Sequence, residues 1–173
     1  GVSYCATCDG AFFRKKTVAV VGGGDVAVED AIFLARTCEK VYLIHRRGEL
    51  RAAKVLQDRL FAMPNVEFLW NHVVTSIEGD DAVSSIVLEN IKDGTEKELD
   101  VSGVFIAVGI LPETSAFGEL VSCNNKGYIV AGEDCRTSVP GIFAAGDIRE
   151  KPMRQIITAV ADGANAVASV GEH

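Results

Sequence analysis

This 173-residue sequence predicts an α/β fold: a three-layer nucleotide-binding domain that bears an antiparallel β-meander, followed by part of a second domain. Three observations carry that prediction. β-branched apolar runs alternate with stretches of helical composition between Thr17 and Trp70, and a glycine cluster closes the first of those runs. The pattern then changes to short strands broken by Gly-Asp and Asp-Gly turns.

Thr17–Val21 is β-branched and ends in Gly22-Gly23-Gly24, after which residues 25–36 read as a helix. Residues 41–44 form a second apolar run, ending in His45-Arg46-Arg47-Gly48. Residues 49–61 have helical composition and stop before Pro64-Asn65. Val66–Trp70 is a third strand, completing a βαβαβ unit of the kind that builds a parallel sheet with right-handed crossovers. Residues 73–99 read as antiparallel strands turning at Gly79-Asp80-Asp81 and Lys92-Asp93-Gly94-Thr95, a meander laid on that sheet. Residues 104–108 form a buried strand ended by Gly109, and Pro112-Glu113 marks the boundary between domains 1–112 and 113–173. Beyond it, residues 127–130 and 141–145 read as strands and 152–170 as a helix, too few elements for a core of their own.

Composition narrows the function classes. A formal net charge of −7 argues against nucleic-acid and anionic-membrane surfaces, which call for clustered positive charge. No apolar run is long enough to span a bilayer and the first residues lack a signal-peptide layout, so a cytoplasmic address is expected. Of five cysteines only Cys5 and Cys8 are close, which is no secreted disulfide framework. The chain opens on Gly1 and reaches its first motif at Cys5, so it reads as an excised piece.

Gly22-Gly23-Gly24-Asp25-Val26-Ala27 matches G-x-G-x-x-A, and it lies where a dinucleotide fingerprint must, after a strand and opening a helix. Gly22 permits the tight turn, Gly24 lets backbone approach a pyrophosphate, and Ala27 keeps helix and strand close. The anion would rest on the helix N-terminal amides. A glycine turn without ligand is the alternative. Asp25 puts an acid beside the pyrophosphate site, where like charge is expected to weaken binding or change how the cofactor sits. About 20 residues further on, an NAD site would carry an acid for the ribose diol. Here that place holds His45, Arg46 and Arg47, with Arg51 one helical turn later, a cluster able to clamp the 2′-phosphate of NADPH. A solvated basic patch is the competing reading.

Cys5-Ala6-Thr7-Cys8 is C-x-x-C, followed by Asp9-Gly10. A structural zinc would need a second ligand pair, which the other cysteines and His45, His72 and His173 do not form, so no metal is expected. A redox-active dithiol fits better. Asp9 is the candidate proton donor or acceptor to a thiolate, with a helix-cap or turn carboxylate as the alternative.

Taken together, C-A-T-C-D-G from Cys5, the glycine fingerprint, H-R-R-x-x-x-R from His45 to Arg51, and Gly141-Ile142-Phe143-Ala144-Ala145-Gly146-Asp147 closely resemble bacterial thioredoxin reductase over essentially the whole chain. That resemblance implies that an NADPH domain is inserted into an FAD domain and that residues 113–173 are the C-terminal part of the FAD domain. It also implies that Gly109 belongs to the cofactor site and to a hinge reaching Pro112. Gly146 and Asp147 would meet the flavin ribityl chain, and Arg154, Gln155 and Ile156 would lie near its ring. For Gly146-Asp147 an ordinary turn before a helix is the alternative. No second glycine fingerprint precedes Cys5, so the FAD site is incomplete here.

The resemblance further implies an electron path from NADPH through FAD to the Cys5–Cys8 disulfide and on to thioredoxin, with Cys8 facing the flavin, Cys5 attacking the partner and Asp9 managing the proton. The parent is expected to be a homodimer, and this chain alone is expected to bind NADPH without turnover. A related flavoprotein serving a peroxidase or another small disulfide protein, or an isolated NADPH-binding module, remain open as alternatives.

Overall fold

The computed structural model describes residues 1–117 and 119–173. They form two compact units, Gly1–Gly109 and Ile110–His173.

In the first unit the strands are β1 (Val2–Ser3), β2 (Thr17–Val21), β3 (Lys40–His45), β4 (Val66–Trp70), β5 (His72–Glu78), β6 (Ser85–Asn90), β7 (Glu96–Asp100) and β8 (Gly103–Ile106). The helices are α1 (Ala6–Asp9), α2 (Asp25–Ala35) and α3 (Lys54–Phe61), with a 3-10 turn at Gly10–Phe13. A parallel sheet has the order β1-β8-β2-β3-β4, and β5-β6-β7 form a separate antiparallel sheet.

Strand alternation assigns the layers. Val18, Val20, Val41, Leu43 and Phe105 point to one side of the parallel sheet, where they pack on Ala27, Val28, Ala31, Ile32 and Leu34 of α2 and Leu60 of α3. Ala19, Ile44 and Val104 point to the other, against Ile86, Leu88 and Leu99 of the meander. Ile86 and Leu88 are fully buried, each stabilising this layer by about 1.5–3 kcal/mol. The result is helices, parallel sheet and meander in three layers, as the alternating runs predict.

Several boundaries differ from the sequence reading. The second helix begins at Lys54 rather than at residue 49. The preceding backbone is held by tertiary bonds instead of i−4 partners: Arg51 N–H donates to Gly23 O at 2.7 Å and Ala53 N–H to Asp25 Oδ1 at 2.7 Å. β1 and α1 are short enough to leave no periodic signal, and β1 exists because β8 offers it a parallel edge.

In the second unit the two expected strands shrink to isolated bridges, Ile129 with Cys123 and Arg149, and Phe143 with Arg136. The terminal helix α4 runs Ile156–Gly171, starting after Pro152 because Gln155 caps it reciprocally with Thr158. This unit does hold a small core, contrary to the sequence reading: Val121, Ile129, Ala131 and Ala144 are buried together. Beside them Arg149 and Asp162 are paired and buried.

Candidate functional site

The order of the parallel strands reverses at β2, with β3 and β4 on one side and β8 and β1 on the other. Such a switch point opens a crevice beyond the carboxyl ends of the strands. Here the crevice has a volume of about 540 Å³, lined by Gly22, Gly23, His45, Arg46, Arg51 and Ala107, with β5 forming another wall.

Gly22 has φ +151°, and a Cβ there would stand 2.4 Å from the Ala107 carbonyl oxygen and 2.7 Å from the Ala27 Cβ. Strand, helix and the end of β8 therefore close on this residue, leaving no room for a side chain. Gly24 borders open space instead. It caps α2 without a side-chain bond, so the first-turn amides can receive an anion.

His45 is 5% exposed, its ring lies where a Gly23 side chain would be, and its Nε2 is buried without a hydrogen-bond partner. Burial, then the Arg51, Arg47 and Arg46 charges, hold its pKa below the ordinary 6.5 against a backbone hydrogen bond at Glu49. The imidazole is therefore neutral at pH 7. The open glycine turn, the arginines and this orphaned nitrogen form a set that fits a phosphorylated dinucleotide.

Not every expected residue shares the crevice. Arg47, Asp25 and Val26 are exposed and lie outside its lining, as does Gly109, an exposed residue with φ +107° just past the lining residue Val108. Asp25 Oδ1 is bonded to the Ala53 amide.

The dithiol segment follows β1. Cys5 and Cys8 form a disulfide, and Cys5 caps α1, its Sγ accepting the Cys8 N–H at 3.2 Å. Thr7 Oγ1 lies 3.3 Å from the same sulfur. Cys8 is exposed and Cys5 half-buried. Asp9 makes no capping bond to the 3-10 turn. Its Oδ2 accepts from the Ser3 hydroxyl at 2.7 Å, and Ser3 Oγ in turn accepts the Cys5 N–H at 3.1 Å. Ser3, which carries no pattern of its own in the sequence, thus links Asp9 to the backbone of the dithiol.

In the second unit, Gly146 and Asp147 form a turn whose amide at Gly146 donates to Asp162 Oδ2 at 2.9 Å. Arg154 donates to the Asp147 carbonyl and lies over the Tyr128 ring, 3.8 Å from its centroid. Gln155 caps α4, and Ile156 opens it at 85% exposure. Asp162 also receives Arg149 in two bonds of 2.8 and 2.7 Å and Lys151 Nζ at 2.7 Å, while Glu133 pairs with Arg149 from the rim. This cluster was not read from the sequence. Its one signal is that Asp162 is the sole charged residue of α4. Among the described residues no helix is long and apolar enough to cross a membrane.

The family model for pyridine nucleotide-disulphide oxidoreductases matches residues 1–163. A thioredoxin reductase of Listeria innocua is 52% identical over 164 residues, covering 94% of this chain and 51% of that protein. One from Bacillus subtilis is 50% identical over 171 residues, covering 98% and 54%. The crystal structure of thioredoxin reductase from Streptococcus pyogenes matches with a TM-score of 0.93 at 51% identity, over 99% of this chain and 56% of that one. The chain spans about half the length of the curated relatives it matches.

Proposed function

The chain belongs to the pyridine nucleotide-disulphide oxidoreductase family, and from that premise we propose that it is the NADPH-binding and dithiol-bearing half of a thioredoxin reductase. The observation that carries this reading is the coexistence, in one unit, of a crevice lined by the glycine turn, Arg46 and Arg51 and of a Cys5–Cys8 disulfide. Residues 1–112 are the NADPH domain and residues 113–173 the C-terminal part of the FAD domain. A cytoplasmic, homodimeric parent comes with the resemblance.

When bound, NADPH supplies two electrons as hydride and FAD relays them. Gly22 and Gly24 with the α2 amides would hold the pyrophosphate, and Arg46 and Arg51 of the crevice lining, with Arg47 between them in sequence, would hold the 2′-phosphate. Gly109 lies at the edge of that site. By the resemblance, Gly146 and Asp147 would meet the ribityl chain of FAD, and Arg154, Gln155 and the exposed Ile156 would lie near its ring. The Cys5–Cys8 bond takes up two electrons and two protons to become a dithiol, with Asp9, oriented by Ser3, passing a proton at the Cys8 sulfur. Cys5 then attacks the disulfide of thioredoxin, forming a mixed disulfide and releasing one partner thiol. Cys8 attacks the Cys5 sulfur, restoring the internal disulfide and releasing the second thiol.

Calorimetric titration of this chain tests the nucleotide half of the reading. NADPH should bind at least about tenfold more tightly than NADH, since the 2′-phosphate adds charge-assisted bonds. Replacing both Arg46 and Arg47 with alanine should remove most of that preference. Equal affinities in the wild-type chain would contradict the assignment.

A further inference from the structure

The loop that carries the arginines, residues 46–53, is fastened to the glycine turn at two points. One is backbone to backbone, from Arg51 N–H to Gly23 O at 2.7 Å. The other is made by a side chain, Ala53 N–H to Asp25 Oδ1 at 2.7 Å. Leu50 and Ala52, between and beside these points, are buried in the helix-side core, which seats the loop against the glycine turn. Asp25 sits in the first turn of α2, where a carboxylate also matches the helix dipole.

We propose that Asp25 is a positioning residue for nucleotide selection: by accepting the Ala53 amide it clamps the 46–53 loop to the glycine turn and so fixes the reach of Arg46, Arg47 and Arg51 from the pyrophosphate site. This rests on the NADPH reading above. A dinucleotide bridges both halves of the clamp, pyrophosphate on the turn and 2′-phosphate on the loop. NADH lacks the 2′-phosphate that the loop arginines would hold, so loosening the clamp should act mainly on NADPH. An asparagine keeps an acceptor oxygen for Ala53 while removing the charge, which separates a clamp from a charge effect.

The test titrates the wild-type chain, Asp25→Ala and Asp25→Asn with NADPH and with NADH, and follows amide hydrogen exchange over residues 46–53 without nucleotide. Asp25→Ala should weaken NADPH by about tenfold, change NADH by less than about threefold, and speed exchange in the loop. Asp25→Asn should restore most of the NADPH affinity and the protection. An unchanged NADPH-to-NADH ratio in Asp25→Ala, or tighter binding of both nucleotides, would overturn the proposal. Should the wild-type chain take NADPH and NADH alike, the nucleotide reading itself fails. The exchange measurement still decides the clamp, because unaltered loop protection in Asp25→Ala refutes it.

Discussion

Replacing either Cys5 or Cys8 with serine in the full-length protein should reduce NADPH-driven thioredoxin reduction to background while NADPH still bleaches the flavin. The two sulfurs have separable tasks. Without Cys8, a mixed disulfide formed at Cys5 has no internal thiol to resolve it; without Cys5, the thiol that attacks the partner's disulfide is gone and Cys8 has no mixed disulfide to resolve. In the proposed path hydride acceptance does not require the dithiol, so flavin bleaching would act as an internal control for folding and nucleotide binding. Retention of disulfide reductase activity in either variant would remove the dithiol from the path.

Asp162→Asn should destabilise the second unit by about 3–5 kcal/mol, the usual cost of stripping one partner from a buried ion pair. The side chains of Arg149, Lys151 and Asp162 are 3%, 4% and 3% exposed. Asparagine keeps the shape of the aspartate but removes the buried negative charge from both cations, leaving Arg149 only the exposed Glu133 carboxylate as an ion-pair partner. Urea denaturation followed by far-ultraviolet circular dichroism reads the loss, and adding Lys151→Met to Asp162→Asn should recover part of it by removing one stranded charge. A cost below about 1 kcal/mol would show that the cluster contributes no more than a surface pair.

The pH dependence has a definite sign. The Arg149 guanidinium, helped by Lys151 and the Gly146 amide and opposed by burial, holds the Asp162 carboxyl well below its ordinary 3.8. Its stabilisation is therefore complete above that ordinary value and is lost as the pH falls below it. The stability gap between wild type and Asp162→Asn should narrow over the same range. Because Asp162 also holds the Gly146 amide, the variant should loosen the turn assigned to flavin contact.

Much of the first unit was legible because its signals are local. The glycine fingerprint, the strand before it and the helix after it occupy adjacent residues, and the turns of the meander are marked by Gly and Asp. Residues 49–53 misled because their composition suits a helix while their amides are taken by Gly23 and Asp25, far away in sequence. The second unit was harder to read. Its short segments pair through single bridges, and its Arg149–Asp162 pair joins residues 13 apart with no periodicity linking them. Ser3 was silent for a related reason: its role depends on the chain folding back so that one hydroxyl meets both the Asp9 carboxylate and the Cys5 amide.

The central claim, that NADPH electrons reach Cys5 and Cys8, is tested most directly by counting thiols. The full-length oxidised protein is mixed anaerobically with excess NADPH, quenched with an alkylating agent and digested, and the peptide bearing both cysteines is weighed. Two alkyl groups are expected on that peptide after NADPH and none before. A peptide that stays unalkylated while NADPH is consumed would contradict it.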